Sequence, residues 1–181
     1  DILSASYLAD KIAWYENDGA SDPSWTAEDI ATSMDGAYSV FAEDMDNDGD
    51  VDILGSARRD DEITWGENDG SESFTEHTID GNFDGAETIY SADIDGDGDM
   101  DIVSASKADD TIAWYENNGS DNPTWTAANI ATREDGASGV YAAEMDGDGG
   151  MDFEFATEPD DNNSWYKKTS GRTNYEPNVD N

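Results

Sequence analysis

The chain repeats itself, and that limits its fold more than any other feature. Asp1-Ile2-Leu3-Ser4-Ala5-Ser6 returns as Asp52-Ile53-Leu54-Gly55-Ser56-Ala57 and as Asp101-Ile102-Val103-Ser104-Ala105-Ser106, and weakly at Asp152-Phe153. Trp14, Trp65, Trp114 and Trp165 keep the same spacing. Three of them open Trp14-Tyr15-Glu16-Asn17, Trp65-Gly66-Glu67-Asn68 and Trp114-Tyr115-Glu116-Asn117, followed by Gly19, Gly70 and Gly119. An aromatic (Trp25, Phe74, Trp125) and an isoleucine (Ile30, Ile79, Ile130) complete each unit. A period of about 50 residues with short apolar runs is the size of a propeller blade.

Each unit reads as four short strands. In the middle unit these are 52–57, 62–67, 74–79 and 88–92, with apolar and polar residues alternating around Ile63 and Trp65. Asn-Asp-Gly and Asn-Asn-Gly are hairpin signals, because Asn and Gly accept the positive φ of tight turns. No stretch of ten residues carries a helical period. The predicted fold is all-β, a single repeat domain over 1–181. It divides into a partial blade 1–51, blades 52–100 and 101–151, and a truncated or divergent blade 152–181. About three and a half blades fall short of the roughly four to eight that close a propeller. The expected object is therefore an incomplete propeller, either a piece of a longer one or one completed by other copies.

An acidic loop precedes each repeated strand. The loops are Asp44-Met45-Asp46-Asn47-Asp48-Gly49-Asp50-Val51-Asp52, Asp93-Ile94-Asp95-Gly96-Asp97-Gly98-Asp99-Met100-Asp101 and Glu144-Met145-Asp146-Gly147-Asp148-Gly149-Gly150-Met151-Asp152. Carboxylates at loop positions 1, 3, 5 and 9 can converge on one cation, and the glycine at position 6 allows the sharp turn this needs. The residue at position 7 (Asp50, Asp99 or Gly150) would add its carbonyl. A hard cation with roughly six to eight oxygen ligands fits, which means Ca²⁺ before Mg²⁺. An EF-hand is excluded, since position 12 is Gly55, Ser104 or Phe155 rather than Glu and no flanking helices are predicted. The third loop is degraded by Glu144 and Gly150.

These loops and the strands after them resemble the FG-GAP/VCBS repeats of the integrin α-like propellers. The family's Gly-Ala-Pro is replaced by Gly55-Ser56-Ala57 and Ser104-Ala105-Ser106. The resemblance runs from Asp1 to about Trp165. It implies structural Ca²⁺ in the three loops, a seven-bladed parent fold and extracellular adhesion or recognition. The chain is too short for seven blades. Its tail departs from the pattern: Lys167 and Lys168 stand where the other units have Glu-Asn, which suits a cap or a truncation.

Composition narrows the function. With 45 acidic against 8 basic side chains the net charge is −37, which excludes nucleic acid and repels anionic membrane surfaces. No apolar run approaches a membrane span. Leu, Ile, Val and Phe number only 24 of 181 residues, a composition typical of disorder, but six Trp and eight Tyr argue for a core. Cysteine is absent, so disulfides and thiolate chemistry are excluded. The chain lacks an initiator Met and a signal peptide and reads as a mature product or an excised fragment.

Among other candidates, the repeated Trp residues are expected to fill interfaces between blades. Tyr15 and Tyr115 point to the opposite face, which is the better place to seek a ligand. His77 is expected to face outward from its strand. Asn118 and Asn162 open N-glycosylation sequons. No catalytic pair stands out, so an enzyme is not expected. The expected function is a calcium-stabilised extracellular adhesion or binding module, with a protein or glycan ligand at the cell exterior. A self-assembling subunit of a fibre or surface layer, associating through open end blades, is the first alternative. A calcium-dependent lectin is the second.

Overall fold

A computed structural model describes residues 1–158, 163–168 and 175–177. Every regular element in it is a strand. The strands form four antiparallel meanders. The first sheet is β1 (Ile2–Ser6), β2 (Lys11–Asn17) and β3 (Trp25–Ala31). The second is β4 (Ala37–Glu43), β5 (Asp52–Ala57), β6 (Glu62–Asn68) and β7 (Phe74–Asp80). The third is β8 (Ala86–Ala92), β9 (Asp101–Ser106), β10 (Thr111–Asn117) and β11 (Trp125–Ala131). The fourth is β12 (Ala137–Ala143), β13 (Asp152–Thr157), β14 (Asn163–Lys168) and β15 (Tyr175–Pro177). The all-β, propeller-like architecture expected from the repeat is present. No strand pairing among the described residues joins the first sheet to the fourth, so the ring is open.

The sheets are offset from the sequence repeat by one strand. The segment read as the fourth strand of the middle unit, 88–92, belongs to β8, which opens the next sheet and pairs with β9 (Tyr90↔Val103, Ala92↔Asp101). Each acidic loop therefore joins the first two strands of one sheet, not two blades as expected. The physical reason is local: an acidic loop of nine residues can turn the chain back on itself, so the strands on its two sides pair directly. The crossing between sheets is made instead by the Asp-Gly-Ala segments at Gly36, Gly85 and Gly136.

Packing is between sheets. Met45, Leu54, Ile63 and Trp65 of the second sheet pack with Phe83, Ala86, Ile89, Ile102, Ala113 and Tyr115 of the third. A second cluster joins Val103, Ile112 and Trp114 to Val140, Phe153 and Phe155. A smaller one joins Ile12 and Met34 to Ile53 and Ala57. Few large aliphatics suffice because many of them are buried on sheet–sheet seams beside large aromatics, and Trp65 and Trp114 are 1% and 0% exposed. The interfacial role expected for these tryptophans is what the structure shows. Close approach also needs Gly55, where a Cβ would sit 2.5 Å from Ile12 Cδ1 and 2.9 Å from Met34 Cε.

The first strands β4, β8 and β12 lie side by side and form one inner row. Phe41, Tyr90 and Tyr141 occupy the same place in each, with ring centroids 5.1 Å and 4.6 Å apart. Register irregularities recur at equivalent points, at Ile12/Ala13, Ile63/Thr64 and Ile112/Ala113. Such bulges sharpen the local twist in the same way in each sheet.

A turn clamp ties each sheet to the next. Asp10, Asp61 and Asp110 all take positive φ (+54°, +56° and +52°). Their Oδ1 atoms accept from the N–H groups of Gly36 (3.0 Å), Gly85 (2.9 Å) and Gly136 (2.8 Å). Their carbonyls accept from Met34, Phe83 and Glu134. One aspartate thus satisfies two backbone donors at the crossing, where orphaned groups would be costly.

Two sequence readings are corrected. Tyr115 does not offer a ligand face: it is 2% exposed and its hydroxyl donates to Asp80 Oδ2 at 2.9 Å across the seam. Its ring also meets Phe83 edge-on, with centroids 6.1 Å apart. His77 is half-buried rather than outward-facing, stacked on Trp65 at 4.8 Å with Nε2 2.7 Å from Glu67 Oε2.

Candidate metal centre

The first two acidic loops are built alike. In the first, Asp44 Oδ2 accepts from Gly49 N–H (3.0 Å), Asp46 Oδ1 from Asp48 N–H (3.2 Å) and Asp48 Oδ1 from Asp50 N–H (2.8 Å). The second repeats this with Asp93 and Gly98 (3.2 Å), Asp95 and Asp97 (3.2 Å), and Asp97 and Asp99 (3.1 Å). Each carboxylate is held by a later backbone N–H, so the side chains are oriented before any ion arrives. The turn requires left-handed backbone at Gly49, Gly98 and Gly149, with φ of +96°, +100° and +87°. It requires the same at position 4, where Asn47, Gly96 and Gly147 stand. Asn and Gly are the residues that tolerate this conformation. Position 4 went unnoticed in the sequence, although its residue types carry the signal.

The structure brings together Asp44, Asp46 and Asp48 in the first loop and Asp93, Asp95 and Asp97 in the second, with one ligand oxygen from each within 4.8 Å of the others. In the third the group is Glu144, Asp146 and Asp152. Asp44 Oδ1 is buried with no hydrogen-bond partner. A buried carboxylate oxygen left unsatisfied in a ring of carboxylates is what a cation-binding loop would show, and the donor set is all oxygen. The residues present therefore fit Ca²⁺. In the first two loops they would hold it through the carboxylates at positions 1, 3 and 5.

The remaining loop residues are placed otherwise. Asp52 and Asp101 are fully buried and lie outside the close trios. Asp52 accepts from Met45 N–H (3.0 Å) and Asn68 N–H (2.8 Å), and Asp101 from Ile94 N–H (3.1 Å) and Asn117 N–H (2.8 Å). Asp152 accepts from Met145 N–H, and Asp1 from Asn17 N–H. The ninth-position aspartate thus staples the loop to the Trp-x-Glu-Asn strand, and this explains why the two motifs recur together. Asp50 and Asp99 lie over the hairpin glycines Gly70 and Gly119, where a Cβ would collide with their carboxylates. Asp99 Oδ1 also accepts from Asn47 Nδ2 (2.9 Å), joining the first loop to the second.

Burial and neighbouring charge raise the proton affinity of several of these carboxylates. Burial pushes Asp46 up to about 6, helped by the charges of Asp52, Asp48 and Asp44. Burial pushes Asp101 up to about 7, with the Asp95 charge adding, against the N–H groups of Asn117 and Ile94. Asp52 is raised mainly by burial as well. A divalent cation in the trio would displace the proton from Asp46 directly and favour the ionised forms of Asp52 and Asp101 through its charge.

Asn118 is exposed in the β10–β11 turn, where its Oδ1 accepts from Thr124 N–H (3.0 Å) and the Ser120 hydroxyl (3.0 Å). Asn162 lies outside the described residues.

Four meandering sheets, three of them stacked along one inner row and carrying an acidic loop between their first two strands, define a propeller-type repeat protein. Consistent with this, the FG-GAP-like repeat matches three overlapping stretches, 1–55, 44–104 and 93–153. The chain belongs to the FG-GAP-like repeat family. The overlaps fall on the first two acidic loops and the strands that follow them. Repeats of this family are typical of extracellular, integrin-like modules, are typically non-enzymatic and often bind Ca²⁺. Comparison with curated proteins returns no match. Among the described residues no helix is long and apolar enough to cross a membrane.

Proposed function

We propose that the chain is a calcium-stabilised extracellular binding or adhesion module, with no catalytic role for the ion. The observation that carries this is the unsatisfied, buried Asp44 Oδ1 within a backbone-organised carboxylate trio. Ca²⁺ supplies charge neutralisation. The loop residues orient their oxygens through their own N–H bonds, and Asp52 and Asp101 pass that order to β6 and β10. Extracellular sites of this kind bind with Kd of roughly 10⁻⁴–10⁻³ M. A ligand at a hundredfold excess over Kd stabilises by about 2.7 kcal/mol per site.

The test is thermal unfolding against calcium. The melting temperature of the wild type is expected to rise with millimolar calcium. Asp95→Ala should lose a large part of that rise while melting normally in chelator. A wild-type melting temperature indifferent to calcium would remove the reading.

Self-assembly is the second reading. It is favoured by the outer edge of β1, which among the described residues pairs with β2 alone, and by an apolar cleft of about 480 Å³ beside it lined by Leu3, Trp14, Val51, Ile53 and Phe74. An unpaired strand edge next to apolar surface is a site for another strand. The lectin reading has less support, since Trp65 and Trp114 are buried in seams; of the three repeated tryptophans that motivated it, Trp14 alone is partly exposed.

A further inference from the structure

The third acidic loop differs from the first two by more than its sequence. We propose that it is closed by the chain's own Lys167 ammonium in place of a calcium ion, so that the protein carries two calcium sites and one internally neutralised loop. This rests on the calcium reading above.

Three observations converge. Lys167 Nζ is bonded to Asp146 Oδ2 and lies 3.4 Å from Asp148 Oδ2, the carboxylates at positions 3 and 5 of that loop. Those two positions are the ones that, with position 1, form the trios of the first two loops. In the third, Asp148 has left the close group and Asp152 has entered it. Second, Lys167 occupies the place held by Glu16, Glu67 and Glu116 in the other units. A charge reversal at this one place brings a cation to the loop that it faces. Third, the loop has lost an acid, with Gly150 at position 7 where Asp50 and Asp99 stand. Asp50 and Asp99 sit over the hairpin glycines of their own sheets; their counterpart here has no side chain to do so.

The charges balance accordingly. A single ammonium, with three donors on a flexible stem, can bridge two carboxylates as a point charge. It is tethered to β14 and so is always present, whereas calcium must be recruited from solution. A divalent ion entering the loop would have to expel the ammonium or share the site with it. Surface ion pairs are individually weak, but repulsion between a retained ammonium and a divalent ion at about 4 Å is added to the lost pairing. Together these are expected to weaken the third site by about tenfold or more relative to the first two.

The test counts ions. Calcium bound per chain is measured by equilibrium dialysis and native mass spectrometry, at a concentration that just saturates the tightest sites. Wild type is expected to hold two ions. Lys167→Met and Lys167→Glu are expected to hold three, with the original two retained as proof of folding. Asp146→Asn placed on Lys167→Met should return the count to two. Three ions on the wild type would overturn the inference, as would two on both Lys167 variants. No ion on any of these proteins would remove the calcium reading itself, and the inference with it.

Discussion

At the scale of single residues, aspartate does several different jobs in this chain. Some carboxylates form the trios, others staple loops, and Asp10, Asp61 and Asp110 clamp the crossings between sheets. The clamp separates two contributions in one experiment. Asp61→Ala removes the acceptor for Gly85 N–H and also places alanine at φ +56°. It is expected to cost about 2–3 kcal/mol in urea denaturation, from the orphaned donor and the strained backbone together. Asp61→Asn keeps an acceptor and tolerates that φ, so it should cost under about 1 kcal/mol. Equal losses in the two variants would contradict the hydrogen-bond account. The grouping of the loop carboxylates was legible in the sequence because their spacing is short and local. The clamp was not, because Asp61 and Gly85 are distant in sequence, although the recurrent Asp-Gly-Ala before β4, β8 and β12 was there to be noticed. The burial of Tyr115 was illegible for the same reason, since it depends on Asp80 and Phe83 of a neighbouring segment.

At the scale of elements, the acidic loop is where solution conditions act. Asp46 and Asp101 have folded-state values raised to about 6 and about 7 from 3.8. A raised acid favours the folded state while it stays protonated. Its contribution is therefore fully present below about pH 4 and is lost as pH rises through about 6 to 7. In chelator the protein is expected to melt at a lower temperature at pH 7.5 than at pH 5. Saturating calcium should abolish or reverse that difference, because the ion favours the ionised forms. Thermal melts across this range with and without calcium decide the matter, and a calcium-free melting temperature that climbs with pH would contradict it. The strands themselves were largely readable: 52–57 and 62–67 match β5 and β6 to within a residue, and 74–79 lies inside β7. Their grouping was not. Repetition in sequence fixes a period but leaves its phase open, and only the pairing of β8 with β9 shows where a sheet starts.

At the scale of the whole molecule, an open arc with a net charge of −37 meets two opposing tendencies. Charge repels like copies at low salt, while the outer edge of β1 and its apolar cleft favour association. Light scattering in millimolar calcium and in chelator is expected to separate them. A monomer in both conditions would favour the binding module. Discrete oligomers in calcium that dissociate in chelator would favour assembly, with monovalent salt strengthening association as it screens the surface charge. The one-strand offset between repeat and sheet has a further consequence, for anyone cutting or splicing this protein. A unit excised at Asp52 and Asp101, where the sequence pattern suggests the joints, takes three strands of one sheet and one of the next, and leaves both neighbours gapped. Cuts in the Gly36, Gly85 and Gly136 crossings would instead release whole sheets with their acidic loops intact. Those are the joints at which copies could be deleted, duplicated or grafted.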